Sequence, residues 1–281
     1  MDQADQSAHP VQKLREAVAS LEASVLLCLV RPGKVAVHRL RTSTRRVEAQ
    51  LELLSMLPGL PPHELQARKV VRLLKQLRQA AGHLRDIDVQ RDLVRDEVAG
   101  SKVHGAPHPD LELRREARRL RRALKRKGEE AADRLLRLLR KQRARLPLVF
   151  EELLDALAPA QSIALSEAEM IALARNCFQT RREPRPPDAA PQNTAELHEI
   201  RKRAKLARYL AESAPQSFLE AHRLAARFAA LQQAGGEWHD WLILAEVAAA
   251  ELGDSAILPQ RFAAHANRAL QKFQRRLRYK I

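Results

Sequence analysis

Three properties of this sequence predict an all-α fold. Apolar residues recur at intervals of three and four over long segments, the mark of a helix face. Alanine, leucine and arginine dominate, whereas glycine supplies only 9 of 281 residues, a composition suited to helices. No stretch alternates apolar and polar residues as a half-buried strand does.

The elements follow in order. After a polar leader, Pro10 opens a first helix to about Val30, with Leu14, Val18, Leu21 and Val25 as its core face. Arg31-Pro32-Gly33 turns the chain into a second helix, to about Leu57, whose stripe is Leu40, Val47, Leu51 and Leu54. Pro58–Pro62 is a break. A third helix starts near His63, turns Val70, Leu73, Leu74 and Leu77 inward, and continues, bent at Gly82, to Val98. Gly100–Pro109 has loop composition, and Asp110–Arg145 is one long amphipathic segment kinked at Gly128. It is densely cationic between Arg114 and Lys127, a face read equally as solvated or as anion-binding, with Glu112 and Glu116 as local i,i+4 partners. Pro147 separates it from a short helix, Val149–Leu157, and Ser166–Thr180 begins with a capping box, Ser166 to Glu169. Arg181–Thr194 is a Pro-rich, mobile connection. The last helices are Ala195–Ala214, Pro215–Leu252 with a break at Gly235-Gly236, and Leu258–Arg278. Trp238, Trp241 and Tyr209 fall at helix-packing spacings and are assigned to the core.

Lys and Arg total 50 against 34 Asp and Glu, giving a net charge of +16 and a pI near 10.6. That balance points to an anionic partner: nucleic acid, anionic lipid or another polyanion. A hydrophobic content of 45% excludes a disordered basic tail, and 4% aromatics argues against base stacking on single strands. Cys28 and Cys177 read as free buried thiols, and no CxxC or Cys/His cluster suggests zinc. The first residues, MDQADQSAHP, are unlike a signal peptide, and Val25–Val30 is too short to span a bilayer, so the expectation is a soluble, cytoplasmic protein without a cofactor.

The functional signal centres on Val37–Leu54. His38, Arg41 and Arg45 form a stripe beside the apolar face, and no acid intervenes between His38 and Arg46. This makes a line of donors about 10 Å long. The pattern returns: Val37-His38-Arg39-Leu40-Arg41 with Arg45 matches Leu197-His198-Glu199-Ile200-Arg201 with Lys205, and Gly82-His83-Leu84-Arg85-Asp86 matches Gly236-Glu237-Trp238-His239-Asp240. Two matches in register suggest two bundles of about four helices related by an approximate two-fold, in halves of 8–147 and 148–281 within one domain.

These motifs carry a family resemblance. His38-x-x-Arg41-x-x-x-Arg45-Arg46 resembles the first signature of the CHAD family, the conserved-histidine α-helical domains, as does Gly82-x-x-Arg85-Asp86 followed by Asp88-Val89. His198-x-x-Arg201-x-x-x-Lys205-x-x-Arg208-Tyr209 looks like its second-half signature, completed by Leu231-Gln232, Gly236 and His239-Asp240. Ala81 and Gly235 depart from the leucine that the family carries before the glycine. The resemblance implies two four-helix bundles with a basic groove or pore between them, binding of inorganic polyphosphate, and association with polyphosphate granules and their proteins. Some relatives carry a triphosphate-tunnel hydrolase domain opening with Glu-x-Glu-x-Lys; this chain has no such motif and is expected to be a stand-alone binding module.

Polyphosphate has no base to read, so its receptor needs donors along a track, which arginine's charged fork supplies. Arg41, Arg45 and Arg46 from one half and Arg201, Lys202, Lys205 and Arg208 from the other are the candidate walls, with Lys75, Arg78 and Arg85 as further contributors. His38, His198 and His239 are candidate phosphate donors whose charge a polyanion would favour. Asp86 and Asp240 are assigned to orienting arginines or capping backbone. Nucleic acid is the rival ligand, disfavoured by the few aromatics and the lack of a known reader motif. An enzyme acting on phosphate esters or anhydrides would need a carboxylate or nucleophile constellation that the sequence does not show. Paired histidines without acidic or sulfur partners make a poor metal site.

Overall fold

The computed structural model describes residues 7–100, 111–179 and 193–278. The described residues form nine α-helices and no strand: α1 Pro10–Val30, α2 Lys34–Ser55, α3 Glu64–Gly100, α4 Leu111–Gln142, α5 Arg145–Ala156, α6 Glu167–Gln179, α7 Thr194–Glu212, α8 Leu219–Leu252 and α9 Ile257–Leu277. A 3₁₀ turn, Ala158–Ala160, follows α5, and Ala8 pairs with Leu165 as an isolated bridge. Gly100, expected to open a loop, ends α3, and the rest of the loop expected at Gly100–Pro109 and most of the connection expected at Arg181–Thr194 lie outside the described residues.

The chain divides into two compact units, each taking segments from both sequence halves. The first comprises residues 1–81, 135–232 and 280–281; the second comprises 82–134 and 233–279. In the first unit the predicted stripes are buried: Leu14, Val18, Leu21 and Val25 on α1, Leu40, Val47, Leu51 and Leu54 on α2, and Val70, Leu73, Leu74 and Leu77 on α3. Phe150 and Phe228 fill the same core, with Phe178 and Phe228 ring centroids 5.2 Å apart. Three polar residues of α2, Ser43, Thr44 and Gln50, are buried as well. Ser43 donates to the Arg39 carbonyl at 2.8 Å and Thr44 to the Leu40 carbonyl at 2.7 Å, so their hydroxyls do not compete with the helix ladder. The second unit is closed by Leu120, Leu124, Phe262 and Phe273, with Trp238 stacked on Phe273 at 6.0 Å.

Three helix boundaries differ from expectation. Pro147 does not separate two helices; it sits in the first turn of α5, where its missing N–H has no intrahelical acceptor to lose. Gly128 does not interrupt α4, which runs unbroken through it. Gly235-Gly236 does not break α8 either: glycine costs about 1 kcal/mol of helix propensity, and the buried neighbours Leu231, Ala234 and Trp238 hold the segment helical.

Carboxylates from distant sequence close two helix N-termini. Glu116 of α4 accepts from the backbone N–H of Ile257 at 3.0 Å and of Leu258 at 2.8 Å, at the start of α9. Glu167 of α6 accepts from Glu220 at 2.6 Å and Ala221 at 3.1 Å, in the first turn of α8. Each supplies an acceptor to orphan donors at the positive end of a helix dipole. Glu167 does this beside the predicted capping box, in which the Ser166 N–H and hydroxyl each donate to Glu169 at 2.7 Å.

Two glycines make opposite predictions. A Cβ on Gly128 would meet Ile87 Cγ2 at 3.4 Å, whereas one on Gly236 meets nothing within 4 Å. Gly128→Leu is expected to destabilise by about 1–3 kcal/mol through overpacking. Gly236→Ala is expected to stabilise by about 0.5–1 kcal/mol through helix propensity. Urea unfolding reads both, and a stable Gly128→Leu protein would show that α3 and α4 have room there.

Candidate functional site

A cationic concavity of the first unit has a volume of about 990 Å³ and is walled by α2, the start of α3 and α7. α7 packs against α2, and their helical periods decide which side chains face the space. On α2 the spacing of three, then four, brings Arg45, Glu48 and Glu52 to one wall. On α7 the same spacing brings Lys202, Lys205 and Tyr209 to another, with Arg203 at its edge. The α3 wall carries Arg68, Arg72 and Arg78, with His63 and Glu64 at the helix start and Cys177 of α6 behind.

Among the predicted site residues, Arg45, Arg78, Lys202 and Lys205 line this cavity. Arg41 lies one turn before Arg45, close enough to disfavour its charge. Arg208 is turned aside: its Nε donates to Glu212 at 2.5 Å, its Nη1 lies 3.5 Å from Gln232 Oε1, and its guanidinium sits 5.7 Å from the Tyr209 ring centre. His38, Arg46 and Lys75 are exposed, His198 and Arg201 are half-buried, and all five fall outside the cavity lining. Arg85 and His239, both half-buried, belong to the second unit.

The line of donors that is pure in sequence is not pure in space. Glu48, three residues after Arg45, accepts from Arg45 Nη1 at 2.9 Å through one oxygen. Its other oxygen lies 2.9 Å from Arg78 Nε as an ion pair. One carboxylate therefore ties α2 to α3 through two guanidinium groups, with only 18% of its side chain exposed. Glu199 similarly pairs with Lys202 along α7. Burial, and after it repulsion from Arg78 and Arg41, holds Arg45 below the usual guanidinium range, while Glu48 opposes the shift. Arg45 Nε is buried and meets no acceptor among the described residues, a donor left over for an incoming anion.

Sequence reasoning missed Arg68, Arg72 and Arg203, which enlarge the cationic wall. The i,i+4 spacing of Arg68 and Arg72 on the predicted third helix was the available signal. Tyr209, assigned to the core, instead lines the cavity and is half-buried. Cys28 is free and buried, its thiol pushed up to about 11 by burial, which leaves it poorly nucleophilic. Among the described residues no group of three His, Cys, Asp or Glu is placed to hold a metal ion, and no helix is long and apolar enough to cross a membrane.

Chemically, the cavity presents seven Lys and Arg side chains from three helices and four Glu. It can hold an extended anion against several charge-assisted donors at once. A family model for the CHAD domain matches residues 12–249. No curated protein matches the chain. Among solved structures, PptA from Streptomyces chartreusis is similar at 16% identity and a TM-score of 0.64, the match covering 96% of this chain and 98% of that one. The CHAD domain from the plant Ricinus communis is similar at 16% identity and a TM-score of 0.55, covering 99% of this chain and 94% of that one.

If Glu48 holds Arg78, the two side chains are energetically coupled. A double-mutant cycle with Glu48→Gln and Arg78→Gln is expected to return about 1 kcal/mol of coupling in urea unfolding. Additive losses would show that the carboxylate does not position the arginine.

Proposed function

The chain belongs to the CHAD family, and from that membership and the cationic cavity we propose that it binds inorganic polyphosphate without acting on it chemically. The observation that carries this reading is the convergence of Arg45, Arg78, Lys202 and Lys205 from three helices on one open cavity. A phosphate chain offers oxygens on every unit, so it can satisfy several forked donors in succession, including the unspent Nε of Arg45. The repeat of His38, Arg41 and Arg45 at His198, Arg201 and Lys205 supports treating α2 and α7 as equivalent contributors. In this reading Glu48 is a positioning residue: it bridges and orients two arginines, and the polyanion outcompetes it for part of their donor capacity.

The same reading places the protein on polyphosphate granules, beside the proteins that make or consume the polymer. Nucleic acid would act only as a weaker electrostatic competitor, because the lining is dominated by Lys and Arg and carries a single Tyr, Trp or Phe ring, Tyr209, which already lies near Arg208.

The logarithm of the binding constant for long-chain polyphosphate is expected to fall linearly with the logarithm of salt concentration. Arg45→Gln with Lys205→Gln should reduce that slope by about 1–2, and charge reversal at Arg41 or Arg201 should weaken binding, the double reversal more than either single one. Preference for duplex DNA or RNA at equal phosphate, or unchanged affinity in every one of these folded variants, contradicts the proposal. Phosphate release by the purified protein would contradict its non-enzymatic part.

A further inference from the structure

We infer that the second unit carries its own phosphate-chain site, a cleft on α4 that shares no residue with the cavity of the first unit. The cleft has a volume of about 460 Å³ and is lined by Arg115, Arg118, Arg119, Arg122, Arg126 and Glu251, with Ala123 at its base. The arginines recur at intervals of three and four, so their guanidinium groups form one stripe about 16 Å long on the helix. All five are exposed.

A stripe of charge on a long helix is ordinarily a solvated face balanced by neighbouring acids. Here the neighbouring acids do not neutralise the stripe: Glu112, three residues before Arg115, is exposed and makes no ion pair with it, and the others are engaged with other groups. Glu116, the natural i,i+3 partner of Arg119, points both carboxylate oxygens at the backbone N–H groups that open α9. Glu129 and Glu130 lie beyond the stripe and face Lys125 at 3.8 Å and Arg134 at 3.7 Å. Glu251 of α8 bonds Lys127 at 2.6 Å. Its carboxyl is held below the usual range by that bond, with Lys127, Arg126 and Arg119 adding to the effect. Among the described residues no carboxylate stands within ion-pair distance of any of the five arginines. Five like charges in one concave stripe repel one another, and an extended anion relieves that repulsion.

The lining also selects among anions. It contains no aromatic ring for a base to stack on and no amide to read one. What remains is a row of forks suited to consecutive phosphate oxygens. The ligand class is thus an unbased phosphate chain, an identification that rests on the polyphosphate reading of the protein. The negative charge of Glu251 opposes it, so this residue limits affinity.

Titration calorimetry of the full chain with inorganic tripolyphosphate tests the inference, with folding checked by circular dichroism. The wild-type protein should show two sites. The variant Arg118→Gln, Arg119→Gln, Arg122→Gln should lose one and keep the other, and its salt slope for long polyphosphate should fall by about 2. Glu251→Gln should tighten the second site by about threefold. An unchanged site number and slope in the triple variant, or no tightening in Glu251→Gln, overturns the inference. If the triple variant is unchanged while Arg45→Gln with Lys205→Gln loses all binding, the cavity of the first unit stands alone. Loss of all binding in the triple variant, with the other pair unaffected, supports the α4 cleft and overturns the first-unit site. A wild-type protein that binds no tripolyphosphate and no longer polyphosphate overturns both.

Discussion

Like charge is the constraint under which this chain folds. With 50 Lys and Arg against 34 Asp and Glu, helices inevitably place cations in stripes, and each stripe repels itself. The described structure answers by putting carboxylates where one group serves several purposes. Glu48 holds Arg45 and Arg78 together across α2 and α3. Glu116 and Glu167 close the N-termini of α9 and α8. Each carboxylate spent on architecture is one withdrawn from neutralising a cationic face. Unbalanced arginine is therefore a consequence of how the acids are used, and it is the property on which the proposed polyanion binding rests.

The two cationic concavities differ in kind. In the first unit the cations come from several helices, and two of the arginines, Arg45 and Arg78, are half-buried and braced by Glu48. Bracing costs some electrostatic attraction for a ligand but reduces the side-chain entropy lost when it binds. In the second unit the arginines come from one helix and stand exposed without braces, so more ordering is required on binding. A braced site favours a defined local geometry; an unbraced one favours length and charge.

Helix positions were largely legible because amphipathic periodicity survives in nearly every element; the core faces of α1, α2 and α3 were read correctly residue by residue. Legibility failed where tertiary packing overrides propensity. Gly235-Gly236 signals a break locally, yet the burial of Leu231, Ala234 and Trp238 keeps α8 continuous. For the site, the sequence marked cations on α2 and α7 but not what restrains them. The bond of Glu48 to Arg45 is local and could have been guessed from its spacing; its contact with Arg78 depends on how α2 meets α3. The engagement of Glu116 with α9 spans 141 residues, and no short-range rule could assign it. Tyr209 was assigned to the core because ring spacing alone does not distinguish an inward face from a cavity wall.

The central claim is that a phosphate chain occupies the donors that Glu48 arranges. A structure determined with bound polyphosphate tests it most directly. The account predicts phosphate oxygens within hydrogen-bond distance of Arg45, Lys202 and Lys205, with Glu48 still against Arg78. A chain bound away from that cavity, or one whose arrival leaves Arg45 paired as before and touches none of these side chains, would contradict it.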